Sequence, residues 1–114
     1  MPQNDLPFPA IPTATAVTWV NNWRDPKRTV SIDDIKGFFV PHDDVQKAMA
    51  ETGAVNIRMY IGLEFKVKNT HEFHLLVVGV DDKGNDIINE EKGLYVYDFT
   101  QPCPSMCSET GPLK

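Results

Sequence analysis

Two cysteines four positions apart, Cys103 and Cys107, with Pro102 and Pro104 on either side of the first, form the most distinctive chemical grouping in the chain. Paired thiols at this spacing can ligate a metal, cycle between thiol and disulfide, or end a fold in a rigid turn. Tetrahedral zinc would need two more ligands, and the histidines on offer are His42, His71 and His74. His71 and His74 are three residues apart, so on a continuous strand they face opposite sides of the sheet, and only a bend would bring both to one ion. A structural role for the cysteines therefore outweighs a redox or zinc site built from Cys103, Cys107, His71 and His74. No cofactor is expected.

Arg58 and Tyr60 form the second candidate grouping, two positions apart within an otherwise apolar, alternating stretch. An arginine on such a face needs a carboxylate or backbone carbonyls to accept its hydrogen bonds, because burying the charge alone is too costly. A fixed Arg beside a Tyr is also how a protein holds an anionic ligand. Internal pairing is the stronger expectation, with a small anionic ligand at Arg58 and Tyr60 as the functional alternative. Asp81-Asp82-Lys83-Gly84-Asn85-Asp86 has the composition of a calcium loop but the wrong order: Gly84 comes fourth rather than sixth, and the twelfth residue is Lys92 rather than Glu. A turn with Gly84 in the left-handed region explains it better. Asp43 and Asp44 fall in the first turn of a helix, where their charge suits the positive end of its dipole.

The elements that must position these groups are legible from periodicity. Val55, Ile57, Met59, Ile61, Leu63 and Phe65 alternate with polar residues, the pattern of a strand with one apolar face. Phe73 to Val80 is apolar on both faces apart from His74 and Gly79, as expected of a central strand. Pairing Phe65 with Glu72 would put Arg58 opposite Gly79 and Tyr60 opposite Val77. The core would then be the odd face of Val55 to Leu63 with Leu76 and Val78. One helix is expected from Thr13 or Thr15 to Arg24, with Ala16, Trp19, Val20 and Trp23 over the sheet, and a second from Pro41 to Thr52, closed by Gly53. Ser31-Ile32-Asp33-Asp34 resembles a capping box for a single turn. Ile87-Ile88 and Leu94 to Phe99 read as return strands.

With 114 residues, the chain suits one domain that hides roughly two thirds of its unfolded surface. We divide it into an extended Pro-rich arm over 1–12, an α+β domain over 13–100 and a Cys/Pro-containing tail over 101–114. The expected fold is a single α+β domain, an antiparallel sheet of three to five strands with two helices packed on it. The net charge of −5, spread along the chain, argues against nucleic acid. No apolar run is long enough to span a membrane, and the amino terminus lacks the basic and apolar regions of a secretion signal, so a cytoplasmic protein is expected.

Four short motifs, one of them Val77-Val78-Gly79-Val80-Asp81, resemble a set of small uncharacterised bacterial proteins. The others are Phe38-Phe39-Val40-Pro41, the Ile-Arg-x-Tyr-x-Gly run from Ile57 to Gly62, and a carboxyl-terminal Tyr97-Asp98-Phe99 followed by Pro102-Cys103-Pro104-Ser105-Met106-Cys107. The resemblance implies a bacterial setting and transfers no catalytic residue. The sequence offers no clustered acid, base and nucleophile. The expected function is therefore a non-enzymatic binding or regulatory module with a protein partner or a small anionic ligand, and the alternative is a thiol redox or zinc-binding protein using Cys103 and Cys107.

Overall fold

The alternating run and the apolar run pair as one long antiparallel ladder, and everything else in the fold is laid against it. A computed structural model describes residues 6–33 and 35–113. In chain order these form β1 (Ala10–Ile11), α1 (Thr13–Arg24), β2 (Gly37–Phe39), α2 (His42–Thr52), β3 (Asn56–Phe65), β4 (His71–Val80), β5 (Asp86–Ile87), β6 (Val96–Tyr97) and β7 (Gln101–Cys103). β4 pairs with β3 along its whole length and also with β5 and β6, and β1 adds to β6, giving a five-stranded antiparallel sheet. β2 and β7 make a second, two-stranded antiparallel sheet. The fold is a single α+β domain. Both its ends are drawn in: Ala10–Ile11 of the arm and Gln101–Cys103 of the tail are strands. The first five residues of the arm, Asp34 of the expected capping-box turn and Lys114 lie outside the described residues.

β4 is apolar on both faces because each face carries a helix. On one side Ala16, Leu76, Val78 and Val96 close a core with Trp19 and Val20 of α1. On the other, Ala48, Val77, Tyr97 and Phe99 pack with Val45, Ile57 and Met59 under α2. Gly79 permits the second contact. A Cβ there would lie 2.4 Å from the Thr52 hydroxyl and 2.8 Å from Ala54 Cβ, so only glycine lets the end of α2 rest on the strand. Gly53 closes α2 in the left-handed region at φ 68°, as expected.

The ladder corrects the expected register by one residue. Phe65 pairs with His71 rather than Glu72, so Arg58 stands opposite Val78 and Tyr60 opposite Leu76. A slip of one residue exchanges the two faces of a strand. Leu76 and Val78 therefore share a face with Arg58 and Tyr60, and Val77 and Phe73 lie with Ile57, Met59, Ile61 and Leu63. The 66–71 connection causes the slip. Lys66 bonds back to Thr70 across a 3₁₀ turn in which Lys68 and Asn69 both adopt positive φ, and Phe65 and His71 then close the hairpin.

The amino-terminal end of α1 also differs in detail from expectation. Neither Thr13 nor Thr15 caps it: Pro12 occupies the cap position without a side-chain bond, and the Thr13 amide donates to Glu90 Oε1 at 2.8 Å. A carboxylate from a distant loop thus satisfies an amide that helix geometry leaves without an internal partner, at the end where negative charge is favoured.

Candidate functional site

α1 lies across the sheet face that carries Tyr60, Leu76 and Val78. Small residues allow close approach, since a Cβ on Gly62 would touch Trp19 Cβ and Leu76 Cδ1 at 3.1 Å. Beside this contact runs a groove of about 230 Å³, walled by Val20, Leu76, Val78 and Val96 and bordered by Thr13, Arg24, Tyr60 and Asp86. The Thr13 hydroxyl oxygen is buried and has no hydrogen-bond partner among the described residues. A buried polar atom left unsatisfied costs about 1–3 kcal/mol.

Arg58 and Tyr60 are brought together, and the anion they hold belongs to the protein. Arg58 Nη1 and the Tyr60 hydroxyl donate to the two carboxylate oxygens of Asp86, and Arg58 Nη2 donates to the Gly84 carbonyl at 3.0 Å. The Asp81–Asp86 turn presents both acceptors. Asp81 Oδ1 takes the amides of Lys83 and Asn85, each at 2.9 Å, and Gly84 adopts φ 85°. The bond to Asp86, then burial, then the Asp86 charge raise the Tyr60 pKa, so the phenol remains a donor. The free cation of the groove is instead Arg24, whose guanidinium lies 5.8 Å from the Tyr60 ring centre and has no carboxylate within ion-pair distance among the described residues.

Further along the same sheet face, His74 is set among carboxylates. Its Nε2 lies 2.8 Å from Glu64 Oε1 and 3.2 Å from Glu72 Oε2, its Nδ1 lies 2.9 Å from Asp98 Oδ2, and its side chain is 11% exposed. The ring stacks on Trp19 with centroids 4.3 Å apart and planes 13° from parallel. Burial works against a charged imidazole, but the bonds and charges of Asp98, Glu64 and Glu72 outweigh it and raise the His74 pKa above its ordinary value. A cavity of about 280 Å³ opens beside Glu72, His74 and Asp98.

His71 starts β4 opposite Phe65, exposed, with its ring edge-on to Phe73. Cys103 and Cys107 are joined as a disulfide with Cα atoms 4.7 Å apart, Cys103 being buried where β7 meets β2. The one group of three or more potential metal ligands among the described residues is Glu64, Glu72 and His74; it includes neither cysteine and not His71. Sequence reasoning missed Glu64, Glu72 and Asp98 as neighbours of His74, and Thr13, Arg24 and Asp86 as neighbours of Tyr60. A signal existed for one of them, since Glu72 and His74 are two apart on a strand and so share a face. No protein-family model, curated protein or solved structure matches the chain.

Proposed function

We propose that this is a small non-enzymatic binding protein of a bacterial cytoplasm whose groove along α1 takes a small organic anion with an apolar body. The observation that carries the reading is a groove with a hydrophobic wall and, at its border, the Arg24 guanidinium, which meets no carboxylate within ion-pair distance among the described residues. Val20, Leu76, Val78 and Val96 supply non-directional burial, about 25 cal/mol for each Å² of ligand surface covered. Arg24 offers charge to an anionic head. Arg58 is spent on Asp86 and has a positioning role, fixing the carboxylate that holds the Tyr60 hydroxyl. A groove of this size suits a fragment-sized molecule rather than a dinucleotide. The bacterial and cytoplasmic parts of the reading rest on the motif resemblance.

Octanoate, with a carboxylate head and an apolar chain, is a suitable probe for calorimetric titration. One saturable site per chain is expected, weakened at least tenfold by Val20→Trp, which fills the groove, and by Arg24→Gln. An absence of saturable binding, or binding indifferent to both substitutions, contradicts the reading.

The disulfide supports a second reading, thiol exchange at Cys103 and Cys107. Equilibration with glutathione decides it: a reduction potential near the cytosolic poise supports exchange, and one far below it makes the bridge structural.

A further inference from the structure

We propose that His74 Nε2, Glu64 and Glu72 form a binding site for one divalent transition-metal ion, best matched by Zn²⁺, with Asp98 as the residue that orients the histidine. This site lies apart from the groove ligand and from the cysteines, and neither is needed for it.

The register builds the ligand set. Glu64 is the cross-strand partner of Glu72, and His74 follows two residues later on the same face. Like charges placed directly opposite each other in a ladder repel. Both carboxylates nevertheless turn to one ring nitrogen, and the potential ligand atoms of the three residues all lie within 4.8 Å of one another. Ligands of a tetrahedral zinc about 2.0–2.2 Å from the ion would stand roughly 3.3 Å apart. The observed 2.8 and 3.2 Å from Nε2 to the two glutamates need little change to admit one.

A proton alone serves this cluster poorly. Nε2 carries one N–H direction at most, yet two carboxylate oxygens face it. Three carboxylates share one imidazole, with the Lys66 ammonium 3.4 Å from Glu72 as the one further cation in contact among the described residues. A divalent ion at Nε2 would accept all three ligands and neutralise the opposed glutamates. Asp98 meanwhile occupies Nδ1, the arrangement in which a carboxylate fixes the tautomer and orientation of a metal-ligating imidazole. The Trp19 stack holds the ring plane, and a cavity opens beside Glu72 and His74. Mixed imidazole and carboxylate ligands favour zinc and its neighbours over Mg²⁺ or Ca²⁺, which prefer oxygen alone. Three protein ligands leave a fourth position for water.

Titration of the oxidised protein with Zn²⁺ tests the proposal, because the disulfide removes the thiols as competing ligands. We expect one Zn²⁺ per chain, release of protons on binding, and a change in Trp19 fluorescence that saturates at the same stoichiometry. Glu64→Gln and Glu72→Gln should each weaken binding at least tenfold, Asp98→Asn by about 10- to 100-fold, and His71→Ala not at all. The glutamine variants keep shape and leave His74 in place, so the test does not depend on how His74→Ala folds. No stoichiometric Zn²⁺, or an affinity unchanged in both glutamine variants, overturns it.

Discussion

Glu64 stands directly opposite Glu72 in the β3–β4 ladder, and both carboxylates turn toward the same nitrogen of His74. The register of one hairpin decides that meeting. In the frame shifted by one residue, Glu64 would face away from His74, which would instead stand opposite Leu63 and next to Ile61.

The same register fixes where a cavity is costly. Leu63 is fully buried while Ile61, two residues earlier on the same face, is half-buried. Leu63→Ala should cost about 2–5 kcal/mol through lost burial and an unfilled cavity. Ile61→Ala should cost less, which corrects the larger loss that a core placement of Ile61 would imply. Denaturant titration of both variants checks the ranking.

Gly79→Ala should destabilise by about 1–3 kcal/mol, the usual effect of overpacking. The new methyl group would press on the Thr52 hydroxyl, which cannot swing away freely because it donates to the Ala48 carbonyl at 2.9 Å. A thermal midpoint equal to that of the wild type would mean that α2 can lift from the strand without cost.

Much of the fold was legible because periodicity and turn chemistry are local. The alternation of β3, the two-sided apolar run of β4, both helices and the Gly53 stop follow from residues near each element. The acceptor for Arg58 was legible as a need, met by Asp86 and Gly84, but its identity depended on where a turn folds back. The register was not legible, because two positive-φ residues that are not glycine, Lys68 and Asn69, tightened the 66–71 connection by one residue. With the register went the carboxylates around His74. Glu90 at the start of α1 was likewise hidden, since no spacing rule connects residues 77 apart in sequence.

Asp86 holds two donors, whereas Arg58 has a second acceptor in Gly84 and is 42% exposed. Asp86→Ala should therefore lower the thermal midpoint more than Arg58→Met, and the double variant should fall by less than the sum of the two. Additive shifts would show that the pair is not coupled.

Alkaline stability should depend on Tyr97. Burial, followed by its 2.7 Å bond to Glu51 and the Glu51 charge, raises the phenol pKa well above the ordinary value of about 10. A group whose pKa is higher in the folded state stabilises fully below the unfolded value, and its contribution is lost as pH rises from there through the folded value. Stability should hold up to about pH 10 and fall beyond it. Tyr97→Phe should flatten that fall while costing about 0.5–1.5 kcal/mol at neutral pH for the lost bond. Unfolding free energies measured at neutral and alkaline pH compare the two slopes.

The groove along α1 is the central functional claim, and a methyl-resolved NMR titration with octanoate tests it most directly. Binding in the groove should shift the methyl signals of Val20, Leu76, Val78 and Val96 together and to saturation, leaving Val45 and Val77 under α2 unmoved. Shifts on the α2 face instead, or none that saturate, would contradict a ligand site between α1 and the sheet.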